Sequence, residues 1–432
     1  MRETCHRASV IAHVTGDPFF DDGRLELVTD GALILDQTGK VKALEKYARL
    51  STADLEKYQV VDHGEAWILP GFVDGHIHFP QVYATAALSG DLLTWLEEVV
   101  FPAEAAFADP AFARKAADRF VRQLRGHGTT CALVFGSQFP LANLALFEAA
   151  RNCGIRLVSG PTLMDQGGPE ALLTSPSKAY EDASALISAI QGEDRMGFAI
   201  TPRFALSCSH ELMEVCQTLV KENPGSTVQT HINENVREIQ AVRDRFPQMA
   251  CYAEVYDRYQ LLGPNTVLAH NVHPTPADLA LIGKRGSWVC HCPASNAYLG
   301  SGLFSLKKHL AHGIPVLVGT DLAASPYCSV IQELTEVHRA SQLIGGQIDA
   351  SGLLYLGTLA GAKALGLEDK IGNFAHGKEA DFIVVHPGSD DYFAERLASA
   401  PCAEMQLFPL LAFAKPQHIT KTYVAGEQLQ PE

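Results

Sequence analysis

His76 and His78, in the run WILPGFVDGHIH (67–78), stand two residues apart, so on an extended strand both imidazoles project to one side and can grip a single ion. Four more ionisable residues close apolar runs further along. They are His231 and Glu234 in TVQTHINE (227–234), His270 in TVLAHNV (266–272) and Asp321 in IPVLVGTD (314–321). Taken singly, a histidine in a strand is more often a hydrogen-bonded core residue. Six ionisable groups closing four apolar runs are a different matter, since each would cost several kcal/mol to bury charged and unpaired. Imidazole nitrogens with a carboxylate oxygen suit zinc or iron, and three His with one Asp leave room for a water. An ion held there lowers the pKa of that water toward neutrality and makes hydroxide available as a nucleophile. Metal-assisted hydrolysis is the chemistry these residues imply. By contrast, His273, His291, His309 and His312 lack this clustering and read as structural or solvated, and Cys290-x-Cys292 without a second pair is too little for a thiolate site.

The runs that carry these residues belong to a series of eight, completed by TTCALVFG (129–136), RLVSGPTLM (156–164), MGFAITPRF (196–204) and GSWVCHCP (286–293). Between them lie helix-length pieces such as AFARKAADRFVRQLRGHG and LANLALFEAARNCG, with helical spacing of apolar positions and Gly at a plausible C-terminal position. Thr275-Pro276 before ADLALIGKRG reads as an N-cap followed by proline at the first helical position. Eight β/α units over about 250 residues predict a (β/α)8 barrel of the TIM type, in which chemistry sits at the C-terminal ends of the strands. A doubly wound sheet fits less well, because no glycine-rich phosphate loop follows the first strand. Residues 1 to about 64 alternate short apolar strands with turns, Asp30-Gly31 being one turn signal. After a helical stretch at about Gly352 to Leu365, the chain returns to strands and turns in GNFAHGKEADFIVVHP and HITKTYVAGEQL. The expectation is a composite β-sandwich from residues 1–65 and 372–432, flanking a barrel at 66–371.

Composition limits what such a protein can meet. The 432 residues carry a net charge of −15, a field that repels phosphate polymers and anionic membrane surfaces, so nucleic-acid and membrane partners are not expected. The start, MRETCHRASVIAHV, has no apolar signal region, and no run approaches the length of a membrane span. Ten Cys in so long a chain are no disulfide framework, and several lie inside apolar runs. A reduced, cytoplasmic protein is expected.

PGFVDGHIH, TPRFALSCS, HINEN, VLAHN, HCPASN and VGTDLAAS resemble the motif series of the amidohydrolase superfamily, in the order and spacing of its guanine deaminases. HIHFPQ (76–81) followed by LLTWLEEVVFPAE (92–104) is similar to the guanine deaminase version, and LGLEDKIGNFAHGKEADFIVV to the superfamily's usual return to the small β domain. The resemblance spans nearly the whole chain. SPYCS, after Asp321 and Leu322, departs from the family's pattern.

The resemblance implies one zinc per chain on His76, His78, His231 and Asp321, with iron as the alternative metal, and places His270 beside the metal rather than as a ligand. It further implies hydrolytic deamination of guanine to xanthine and ammonia in purine salvage or breakdown. Glu234 would then shuttle a proton to the ring nitrogen, and Asp321 would accept one from the water. An oxo-purine edge offers a carbonyl acceptor and ring N–H groups. On this reading Arg203 donates to the carbonyl, Gln81 pairs with the amide-like edge and Phe204 stacks on the purine face, while Trp95 either closes the pocket or belongs to the core. A homodimer is expected, as such barrels often pair. The competing readings are an aminohydrolase acting on a pterin, cytosine or s-triazine, and a barrel that has lost turnover and serves as a scaffold. A cytidine-deaminase type of zinc site is disfavoured: His63-Gly64-Glu65 fits its first half, but Pro401-Cys402 is followed by Ala403 and Glu404 with no second Cys.

Overall fold

Valine, isoleucine, leucine and phenylalanine crowd the eight runs, and in the computed structural model each run forms a strand with almost every residue buried. The strands are β1 (Phe72–His78), β2 (Thr129–Phe135), β3 (Arg156–Gly160), β4 (Met196–Pro202), β5 (Thr227–Ile232), β6 (Thr266–His270), β7 (Trp288–His291) and β8 (Val316–Val318). Each pairs in parallel with the next. Burial on both faces is what helices on the outside and packed side chains on the inside impose on a parallel sheet. The structure describes residues 3–87, 92–388 and 390–429.

β8 closes on β1 through polar contacts beyond its own end. The Thr320 N–H donates to Asp74 Oδ1 at 3.0 Å, its hydroxyl to Oδ2 at 2.6 Å, and the Asp321 N–H to the His76 carbonyl at 2.8 Å. Glycine at 319 permits this approach, because a Cβ there would lie 2.6 Å from the His76 nitrogen. The architecture is the expected (β/α)8 barrel.

The helix Pro110–Gly126 shows how the outer layer forms. Asp109 accepts from the Ala111 N–H, Pro110 fills the first position, and Ala113, Ala116, Ala117, Phe120, Val121 and Leu124 bury one stripe. The helix Pro276–Arg285 starts as expected at Thr275, whose capping box is completed by Asp278.

The two ends of the chain meet in one eight-stranded mixed sheet. Its central strand, Thr4–Val14, pairs antiparallel with Leu25–Leu35 and parallel with both Gln59–Asp62 and Trp67–Pro70, while Phe382–Val385 joins Trp67–Pro70 from the C-terminal side. Ala8, Ile11, Leu33, Ile68, Phe382 and Val384 share its core.

Three local expectations change. The run WILPGFVDGHIH is two strands divided at Gly71, the first in the end sheet and the second in the barrel; a Cβ at Gly71 would lie 2.2 Å from the Thr130 hydroxyl. Asp30-Gly31 is a kink inside one continuous strand, with Asp30 at φ +46°, because Leu25–Leu35 finds its partner in the N-terminal strand rather than in itself. The C-terminal stretch expected as strands and turns also contains two helices, Asp391–Ala398 and Ala403–Phe413. The second buries Leu407, Leu410 and Leu411 and packs on the barrel helix Val330–Leu343, so tertiary burial organises a segment whose turn residues suggested otherwise.

Candidate active site

All six ionisable residues read from the strand ends converge at one mouth of the barrel. His76 and His78 project from β1 with ring centroids 4.9 Å apart, and the His78 and His231 rings stack at 5.2 Å. His78 Nε2 stands 3.2 Å from His231 Nε2 and 3.2 Å from Asp321 Oδ1, and His76 Nε2 stands 3.3 Å from the same oxygen. Four ligand atoms about 2.0–2.1 Å from one tetrahedral ion lie about 3.3 Å from one another. These three separations match that span. His76, His78 and Asp321 offer ligand atoms within 4.8 Å of one another, as do His76, His231 and His270, and His76 Nε2 is buried with no hydrogen-bond partner. His231 Nδ1 lies 2.6 Å from the Arg203 carbonyl, which can only accept; the ring proton is held there, leaving Nε2 bare toward the cluster.

The electrostatics suit ligands. Burial lowers His76 to a pKa of about 4, and burial together with the neighbouring histidines holds His231 well below the usual imidazole range, so both are neutral. Burial alone would raise Asp321, but its contacts with His76 and His78 outweigh it and keep the carboxylate ionised. Ser295 Oγ donates to Asp321 Oδ2 at 2.5 Å, fixing its other oxygen.

Glu234 and His270 stand beside this cluster. His270 Nε2 lies 3.5 Å from Glu234 Oε2 and 3.8 Å from Asp321 Oδ2, and its Nδ1 lies 3.1 Å from Asn296 Oδ1. Burial opposes a charge on His270, but the two carboxylates outweigh it and raise its pKa. Glu234 is 3% exposed, so it is not a solvated helix-start residue. Burial raises it to about 7, a value suited to exchanging protons near neutrality. Ser301 donates to its Oε1 at 3.1 Å, and Glu238 accepts its backbone N–H at 2.9 Å. Asn233, His270, Asn271 and Asp321 all have φ between +47° and +71°. Such backbone strain costs on the order of 1 kcal/mol or more per residue and gathers where side chains must be aimed.

A cavity opens on the cluster. Gln81, Arg203 and Phe204 line it, together with Trp95, Leu96 and Leu299. Arg203 is not a lone cation: Glu104 takes its Nη1 at 2.7 Å and its Nη2 at 3.1 Å. Phe204 and Trp95 belong to an apolar cluster with Leu92, Leu96 and Phe101, so each is both pocket wall and core.

His273, His291 and His309 take structural places, as expected. His291 stacks on Phe304 at 4.3 Å, His273 Nε2 sits 2.5 Å from the Ser301 carbonyl, and His309 bridges Asn271 and the Ser305 carbonyl. Burial raises Cys290 and Cys292 above the thiolate range. In SPYCS, Ser325, Cys328 and Ser329 are buried, and the Ser325 hydroxyl donates to Glu333 at 3.1 Å. The sequence reading missed Glu104, Ser295, Asn296 and Ser301. Glu104 lies in LLTWLEEVVFPAE, and Ser295 and Asn296 lie in HCPASN, stretches that resemble the family's motifs but carry no local sign of these roles.

The chain matches the Amidohydrolase family over residues 67–429. A probable guanine deaminase of Deinococcus radiodurans is 38% identical over 424 residues, covering 97% of this chain and 97% of that protein. The solved structure of Escherichia coli guanine deaminase superposes with a TM-score of 0.93 at 36% identity, covering 99% of each chain. A guanine deaminase from C. acetobutylicum, solved with guanine in its active site, superposes with a TM-score of 0.90 at 25% identity, covering 99% of this chain and 100% of that one. A barrel whose strand ends gather histidines and a carboxylate, matched over its whole length by these relatives, makes this chain a metal-dependent aminohydrolase that belongs to the amidohydrolase family, among the guanine deaminases.

Proposed function

We propose that the protein converts guanine and water to xanthine and ammonia, using one zinc ion per chain held by His76, His78, His231 and Asp321. The observation that carries this reading is the shared cavity: His78, His231 and Asp321 of the cluster face the same space as Arg203 and Gln81. Zinc bound there would lower the pKa of a coordinated water and supply a nucleophile at neutral pH. Iron is the alternative metal, since both accept this donor set.

The chain's own residues supply the rest. Water adds across the C2–N3 bond of guanine, its oxygen to C2 and a proton to N3. The bond from C2 to the amino nitrogen then breaks as that nitrogen takes a second proton and leaves as ammonia. Glu234, beside the cluster and lining the cavity, carries these protons. Asp321 is the second acceptor, and His270 between the two carboxylates keeps their charges compensated. Arg203 donates to the purine carbonyl, Gln81 meets the adjacent ring N–H, and Phe204 covers the purine face.

A cytoplasmic place in purine salvage or breakdown is part of this reading. It is supported by ten free thiols, and among the described residues no helix is long and apolar enough to cross a membrane. The homodimer rests on the commonness of two-fold pairing among soluble oligomers. Incubating zinc-loaded protein with guanine and measuring ammonia and xanthine tests the reaction; equal amounts of both are expected. Turnover of a pterin, cytosine or s-triazine with none of guanine would replace guanine as the substrate.

A further inference from the structure

One buried carboxylate gathers three side chains from distant parts of the chain. Glu104 accepts Arg203 Nη1 at Oε2 and Nη2 at Oε1, Gln81 Nε2 at Oε1 at 3.0 Å, and Gln138 Nε2 at Oε2 at 2.8 Å. Glu104 is 1% exposed, and its three partners are nearly as buried. Burial disfavours its charge, but Arg203 outweighs burial and the carboxyl stays ionised.

Two consequences follow for the cavity. A carboxylate can only accept, so Gln81 must turn its NH2 toward Glu104 and keep its oxygen for other partners. That oxygen is an acceptor beside the cavity, 3.5 Å from the Ala323 N–H, and suits a ring N–H rather than a bare ring nitrogen. The two-point contact also fixes the plane of the Arg203 guanidinium and balances its charge, so the remaining N–H groups meet a neutral carbonyl from within a neutral pair.

We infer that Glu104 is the positioning residue that makes the pocket selective for a purine edge presenting a carbonyl beside a ring N–H. It does so by holding Arg203 as the donor and Gln81 as the acceptor. Gln138 braces the far oxygen of the same carboxylate. The inference rests on the purine reading proposed above.

The experiment compares zinc-loaded wild type with Glu104→Gln by calorimetric titration of two purines. Hypoxanthine carries the carbonyl and adjacent N–H; unsubstituted purine carries neither. Glu104→Gln should weaken hypoxanthine at least about tenfold, the scale of losing a charge-assisted contact, while purine changes by less than about twofold and metal content is unchanged. An equal weakening of both ligands, or no weakening of hypoxanthine, overturns the inference. If Glu104→Gln does not fold, Glu104→Asp decides on the same ratio, since it keeps the charge but cannot reach all three partners. Wild-type turnover of guanine is measured alongside. Guanine turnover with an unchanged hypoxanthine affinity in the variant would defeat only the role of Glu104, whereas absent turnover of guanine would defeat the reading of the substrate.

Discussion

His78 and His231 come from strands 153 residues apart in sequence, yet their Nε2 atoms stand 3.2 Å from each other, with Asp321 Oδ1 3.2 Å from the first. The His231 nitrogen is bare, because its ring proton is held by the Arg203 carbonyl, and a cation between the two rings would bind both. His231→Ala and Asp321→Asn should each weaken metal binding at least about tenfold and abolish turnover together. Elemental analysis of the purified variants checks this. Stoichiometric metal in either variant would show that the cluster is not the metal site.

Glu234→Gln keeps size and shape but cannot carry a proton. Its kcat should fall at least about 100-fold with metal content retained. An unchanged kcat would leave Glu234 with only its contacts to Ser301 and His270.

Arg203→Ala should reduce kcat/KM for guanine by roughly 2 to 5 kcal/mol, the range for truncating one partner of a buried charged contact. Because Arg203 is paired with Glu104, part of this cost falls on the fold. The variant should lose about 3–5 kcal/mol of stability in urea, and adding Glu104→Gln should recover a measurable share by removing the stranded carboxylate. A double variant no more stable than Arg203→Ala would contradict the pairing.

These residues were unequally legible. His76, His78, His231, His270 and Asp321 interrupt apolar runs, and an ionisable group at the end of a buried strand is visible in one dimension. Glu104 sits in a helix after the first strand, and its partners lie 23, 34 and 99 residues away, so no local pattern marks it. Ser295 and Asn296 orient Asp321 and His270, and nothing in their own neighbourhood shows which ring or carboxylate they will meet. The helices at 391–413 were hidden in a similar way, since Leu407 and Leu410 become a buried face only once the barrel helix Val330–Leu343 is beside them. The division at Gly71 had a local sign in the Pro70-Gly71 pair, but which sheet each half joins is set by partners distant in sequence.

Stability should fall in acid through a histidine pair far from the active site. His6 Nδ1 lies 3.1 Å from His63 Nε2, and burial lowers the two to about 3 and about 4 from an ordinary 6.5. Between pH 6.5 and those values the unfolded chain binds protons that the folded one refuses. Their contribution is therefore complete above pH 6.5 and is lost as pH falls toward 3. Denaturation across this range should show a shallower pH dependence for His6→Phe with His63→Gln than for wild type. Identical slopes would mean the pair does not titrate with folding.

The most direct test of the account is the ratio of kcat/KM for guanine and adenine with the zinc-loaded protein, read by ammonia release. A pocket that offers a donor where guanine has its carbonyl and an acceptor where it has a ring N–H leaves both unpaired against adenine, and buried polar sites of this kind discriminate by about 10⁴-fold or more. Guanine should be deaminated and adenine should fall below it by at least that factor. Comparable rates on the two purines, or adenine turnover without guanine turnover, would contradict the account.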